Sequence, residues 1–143
     1  MPSAPDSIAA FLLADTNVAA LVADRITPDK IDQGATLPAV AYWIVSVDEE
    51  QSIAGRVGCS ATRITFESWA ETRVGSSNLA RVIKRALMPT DESFPIRGDI
   101  EGVTFLDVVI TQSSRHYQIP RTEGSDEFIY VTSQDFVFTH LED

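Results

Sequence analysis

The stretch Ser60–Leu87, SATRITFESWAETRVGSSNLARVIKRAL, constrains the fold more than any other part of the chain. From Ala61 to Ala70 apolar and polar residues alternate, with Ile64, Phe66 and Ala70 on one side and Arg63, Thr65, Glu67 and Trp69 on the other. That period of two belongs to a half-buried strand. Thr72, or the Ser76–Ser77 pair, then offers a hydroxyl able to cap a helix start. Leu79, Val82, Ile83, Ala86 and Leu87 follow at i, i+3, i+4, i+7 and i+8, which makes one apolar stripe. Asn78, Arg81, Lys84 and Arg85 take the opposite face, the last two at the negative end of the helix dipole. Pro89 stops the helix. Each large aliphatic residue buried along the stripe stabilises by about 1.5–3 kcal/mol, so the helix is expected to lie flat on a sheet.

Around this unit the chain divides by turn chemistry. Pro5-Asp6-Ser7 opens a first helix, with Asp6 or Ser7 as cap, and Asp15-Thr16 caps a second. Asp24–Thr36 has no period and carries Pro28 and Gly34, so it reads as a loop pinned by Ile26 and Ile31. The next segment, beginning at Leu37-Pro38, is apolar on both faces through Val45, as in a central strand. Asp48–Cys59 reads as a long hairpin tip, and Thr90–Gly102, with Phe94 and Ile96, as a connection. Val103–Gln112 is a third strand, with Val103, Phe105 and Val109 on one face and Leu106, Val108 and Ile110 on the other. Ser113–Glu127 is a long polar linker, and Phe128–His140 a fourth strand whose alternation slips at Thr132-Ser133-Gln134, as at a bulge. The expected architecture is one α+β domain over residues 1–143: an antiparallel sheet of about four strands, helices on one face, and long protruding loops.

Chemistry is sparse. Cys59 with His116 or His140 is the one conceivable nucleophile–base set, and its spacing suggests neither contact nor an orienting third group. Cys59 is expected to pack as a small hydrophobe, and both histidines to be solvated. No metal spacing or phosphate loop occurs, since Gly55-Arg56-Val57-Gly58 lacks the lysine and hydroxyl ending. Catalytic residues, cofactors and metals are therefore expected to be none. With 21 acidic against 11 basic residues, scattered apart from Arg81, Lys84 and Arg85, the net charge of −10 makes tight binding to nucleic acid by phosphate neutralisation, or to an anionic membrane, unexpected. The longest apolar run, Ala39–Val45, is too short to span a bilayer. The N-terminus lacks the basic and apolar regions of a signal peptide, and a single cysteine fits synthesis in a reducing cytoplasm. Trp69 exceeds this background: an aromatic on the polar side of a strand needs a partner surface or a covering helix, which the N-terminal helices could supply. The three long loops, Asp24–Thr36, Asp48–Cys59 and Ser113–Glu127, suit contact with other subunits better than a pocket.

Four pieces in order, LVADRITP (Leu21–Pro28), LPAVAYWIV (Leu37–Val45), TFESWAET (Thr65–Thr72) and LARVIKRAL (Leu79–Leu87), resemble the tail-completion, or tail-terminator, proteins of long-tailed bacteriophages and gene transfer agents. The likeness runs from Ile8 to about Leu141, with Ala39 and Thr27 where the family often has aromatics. It implies a structural virion protein, made in the bacterial host cytoplasm and placed at the tail neck. There a homo-oligomeric ring, commonly a hexamer, ends tube polymerisation and joins tail to head. The implied partners are further copies of the chain, the major tail tube protein and a head connector or head-completion protein, with DNA passing through without specific binding. Candidate lumen or subunit-interface residues are Asp48, Glu49, Glu50, Trp69, Arg115, Tyr117 and Arg121. The three acidic residues are expected to face the lumen. Other readings are a different neck component, a monomeric ligand-binding module or a small enzyme.

Overall fold

A computed structural model describes residues 3–29, 31, 36–52, 55–88, 98–100, 102–110, 114–121, 124 and 126–141. The chain folds as helices α1 (Ala4–Ala14) and α2 (Thr16–Val22), strands β1 (Ile26–Pro28), β2 (Ala39–Ser52) and β3 (Gly55–Ala70), helix α3 (Arg73–Leu87), and strands β4 (Gly98–Ile100), β5 (Val103–Ile110), β6 (Arg115–Pro120) and β7 (Phe128–Leu141). The class is α+β, as the sequence implies. The sheet is larger than four strands and mixed: seven strands in the order β1-β2-β3-β7-β5-β4, with β6 also on β7.

β3 and β7, not β2, form the centre. They pair antiparallel over twelve residues, from Cys59↔Leu141 to Ala70↔Tyr130, without a register shift. On its other edge β7 carries two strands end to end, β5 against residues 136–140 and β6 against residues 128–133. The expected bulge at Thr132–Gln134 is therefore absent. Alternation is lost there because polar residues are buried on both faces of β7, Thr132 and Gln134 on one and Ser133 and Asp135 on the other. β2 lies one strand from the edge, flanked outside only by β1, which runs parallel to it over Val40–Tyr42. Its first half is buried on both faces, which produced the signature of a central strand in the sequence.

Each of the three expected loops contains a strand. Asp24–Thr36 holds β1, Ser113–Glu127 holds β6, and Asp48–Cys59 is the far part of the β2–β3 hairpin, paired as far as Ser52↔Gly55. Thr90–Gly102 ends in β4; Pro89, Phe94 and Ile96 lie outside the described residues. In β5 a register shift between Phe105 and Asp107 changes the parity of the strand. Val108 consequently joins Val103 and Phe105 in the core instead of facing away from them.

All three helices contribute to one core on a single face of the sheet. Ile8 and Leu12 of α1, Val18 and Val22 of α2, and Leu79, Ile83 and Leu87 of α3 pack with Val40, Tyr42, Ile64, Phe66, Phe105, Phe136 and Phe138. The rings meet edge-on, Phe66 with Phe136 at 5.9 Å and Phe105 with Phe138 at 6.0 Å. Such pairs add about 0.5–1.5 kcal/mol to their burial. Thr72 is the cap of α3, its Oγ1 accepting from Gly75 N at 3.0 Å. Ser76, also offered as a cap, instead hydrogen-bonds Thr132 of β7 at 3.1 Å. Helix α1 is capped by Ser3, one turn earlier than expected. Asp6 then occupies the first turn, where it receives the Tyr42 hydroxyl at 3.3 Å. Burial, followed by that carboxylate, pushes the Tyr42 phenol up to about 12. Arg25 fastens α2 to the start of β2, donating to the carbonyls of Leu21 (3.3 Å) and Pro38 (2.9 Å). Helices α1 and α2 meet at 88°, and no single helix among the described residues is long and apolar enough to cross a membrane.

Candidate functional site

On β3, Ile64, Phe66, Ser68 and Ala70 point to the helices, so alternation turns Arg63, Thr65, Glu67 and Trp69 to the opposite face. The N-terminal helices therefore do not cover Trp69. Rows of residues run across this helix-free face. Ala39, Trp69, Val131 and Tyr117 form one, and Ala41, Glu67, Ser133 and Arg115 the next. The floor of the face is buried, at Ala41, Thr65, Val131, Ser133 and Asp135, while Trp43, Arg63, Glu67 and Trp69 are half-buried.

Asp135 is the hub. Its Oδ2 accepts from Arg63 Nη2 at 2.7 Å and Nε at 3.2 Å, and its Oδ1 from Thr65 Oγ1 at 2.8 Å and Arg115 Nη2 at 3.4 Å. Arg115 also donates to Ser133 Oγ at 3.2 Å. Burial alone would raise the Asp135 carboxyl, but the hydrogen bonds from Thr65 and Arg63 and the two guanidinium charges outweigh it and hold it below the ordinary carboxylate range. Glu67 goes the other way: burial raises it, against the Trp69 indole, which donates at 3.4 Å, and the charge of Arg115. These charges brace one face of a sheet.

The structure gathers Trp69, Arg115 and Tyr117 into this face, and puts Arg121 just past β6, where it meets Glu71 at 3.4 Å. Asp48, Glu49 and Glu50 lie apart from them on the distal part of β2. Asp48 pairs with Ala61, eight residues from Trp69 along β3, or about 26 Å at the usual strand rise. Asp48 and Glu49 are exposed. Sequence reading left Asp135, Arg63 and Thr65 unassigned. The available signal was a carboxylate in the middle of a strand, directly before Phe136-Val137-Phe138, which if buried requires a cationic partner on a neighbouring strand.

No nucleophile–base pair forms. Cys59 pairs with Leu141 while His140 pairs with Ser60, so adjacent positions send the two side chains to opposite faces. Cys59 is buried and in no disulfide. The histidines are engaged rather than free in solvent: His140 Nε2 lies 2.7 Å from Thr62 Oγ1, and His116 Nδ1 lies 3.1 Å from Thr132 Oγ1. No three His, Cys, Asp or Glu side chains among the described residues could hold a metal. A groove between α2 and α3, lined by Asn17, Leu21, Asn78, Arg81 and Arg85, is shallow and open.

A braced sheet face flanked by strand edges equips a chain to meet other proteins, and in class this is an assembly subunit. Residues 6–117 match the family of tail completion protein gp17. The chain belongs to that family: it is a structural protein of phage-type tails, and not an enzyme. No curated protein matches it. Among solved structures its fold is similar to a chain from the virion of a native gene transfer agent particle. The two share 16% identity over 93% of this chain and 91% of that one, with a TM-score of 0.50.

Proposed function

We propose that this chain closes into a ring, hexameric in the simplest case, at the head-proximal end of a phage-type tail. The ring halts polymerisation of the tail tube and offers its far side to a head connector or head-completion protein. Membership of the tail completion family over residues 6–117 carries this reading. The fold supports it, being shared with a chain of a gene transfer agent virion. A subunit of net charge −10 suits a channel through which DNA passes without binding, since only carboxylates within about 8 Å of the DNA act on it at physiological salt. The chain would be made in the host cytoplasm and incorporated at the neck.

The test is deletion of the gene in the producing host, with particles viewed by electron microscopy and native mass measured on the purified chain with and without tail tubes. Overlong tails lacking heads, together with a ring species free or on tubes, are expected. Normal tails beside unjoined heads would instead make the chain a head-side neck component. A chain that stays monomeric on tubes of unchanged length would refute the proposal.

A further inference from the structure

We propose that two open strand edges on opposite sides of the sheet join one copy of this chain to the next, so that the sheet continues antiparallel from subunit to subunit. This rests on the ring reading above and adds which surfaces meet. One edge is the distal half of β2. β1 pairs only with Val40–Tyr42, and beyond Tyr42 no described strand lies outside β2. Here Ile44, Val45 and Val47 are 48%, 49% and 51% exposed, and the exposed Asp48 and Glu49 follow. The second edge is β6, paired to β7 on one side and bordered by no described strand on the other. It presents Arg115, 57% exposed, then His116 and Tyr117, with Phe128 exposed across from its end.

An open edge offers its backbone donors and acceptors to any strand of matching shape, so what it pairs with is decided by its side chains. Two β2 edges would bring Asp48 and Glu49 against their own kind, and two β6 edges would oppose Arg115 to Arg115. Like charges across a strand pair are destabilising. Only β2 against β6 sets acidic against basic residues and aliphatic against aromatic ones. That contact is heterologous, the kind that closes into a ring rather than stopping at a two-fold dimer.

Strand direction and facing both permit it. β2, β3, β7 and β6 are successively antiparallel, so β6 runs opposite to β2. Rotation about a ring axis preserves strand sense along that axis, which makes β6 of one copy antiparallel to β2 of the next with both helix layers on the same side. Asp48, through Ala61, shares the helix-free face with Arg115, through Ser133. Val47, through Thr62, shares the helix side with His116, through Thr132. Charge therefore meets charge on the same side of the joined sheet. The carboxylates of the β2 arm lie in the joint and not free in the lumen.

The experiment uses the full chain with Cys59→Ser, leaving no native thiol, and adds Val47→Cys or Gln118→Cys, two exposed positions on the helix side. A short bismaleimide is applied to the free chain and to chain bound on tail tubes, with native mass recorded in parallel. The double variant should give a covalent ladder, the two single variants mixed should give a dimer and nothing larger, and each alone should give monomer. A ring seen by native mass without the ladder, cross-linking of either single variant to itself, or capture of the tube protein by Val47→Cys would each overturn the proposal while leaving the ring reading intact. Absence of any oligomer, free or on tubes, would refute the ring reading and this inference with it. A second variant, Asp48→Lys with Glu49→Lys, should keep its fold and weaken ring association about tenfold or more. An unweakened ring with slower genome ejection would assign those carboxylates to the lumen and overturn the joint.

Discussion

Replacing Asp135 with alanine removes the acceptor on which three side chains of the helix-free face, Arg63, Thr65 and Arg115, converge. The cost can be worked donor by donor. Thr65 is buried, with 3% of its surface exposed, and its hydroxyl loses the 2.8 Å bond with little water to replace it. An orphaned buried donor costs about 1–3 kcal/mol. Arg63 and Arg115 are 30% and 57% exposed, so their guanidinium groups regain solvent. Each loses what a partly screened pair is worth, about 0–1 kcal/mol. The sum is about 1–5 kcal/mol, read as a lower urea midpoint at constant slope. Asp135→Asn keeps an oxygen for Thr65 and should lose about half as much. The pH dependence gives an independent check. A carboxyl held below its unfolded value of about 3.9 contributes stability that is full above that pH and is lost as pH falls through the lower folded value. The gap between wild type and Asp135→Ala should therefore stay constant from neutrality to about pH 4 and close below it. A cost under about 0.5 kcal/mol, or a gap already closing near pH 6, would show that the hub does not brace the sheet.

Gly75→Ala in α3 should fail to give the usual helical gain of about 1 kcal/mol, because the new Cβ would sit 2.9 Å from Thr72 Oγ1 and displace the cap; a full gain in thermal stability would contradict this. The Tyr42 phenol, raised to about 12, favours the folded chain only while both states are protonated. Stability should thus decline as pH rises above about 10 towards 12, and Tyr42→Phe should flatten that decline in alkaline unfolding curves.

Local chemistry made the centre of this fold legible. The β3–α3 unit follows from alternation and from the Leu79–Leu87 stripe, and residues 62–70 and 79–87 are buried on the faces those periods predict. The Asp15 cap of α2 was equally plain, since its Oδ1 accepts from Asn17 N and Val18 N within its own turn. Strands in the supposed loops were not legible. β1 and β6 span three and six residues, and β6 is exposed at nearly every position, so no apolar period betrays it. What makes it a strand is the edge of β7, which is supplied from elsewhere in the chain. The Asp135 hub was hidden for a similar reason: Arg63 and Asp135 are 72 residues apart, and only the β3–β7 register brings them together.

From its residues alone the chain determined its α+β class, the helix that lies on the sheet, the lack of catalytic spacing, and a resemblance to tail-completion proteins. Those properties depend on periods of two and 3.6, on caps and on motif order, all set within a few residues of one another. Tertiary structure alone decided that β7 lies between β3 and the β5/β6 pair, that Trp69 faces away from the helices, and that the acidic arm and the basic strand bound opposite edges of the sheet. Those depend on pairing between distant segments, where burial and hydrogen bonding across the whole sheet outweigh the preferences of any single stretch.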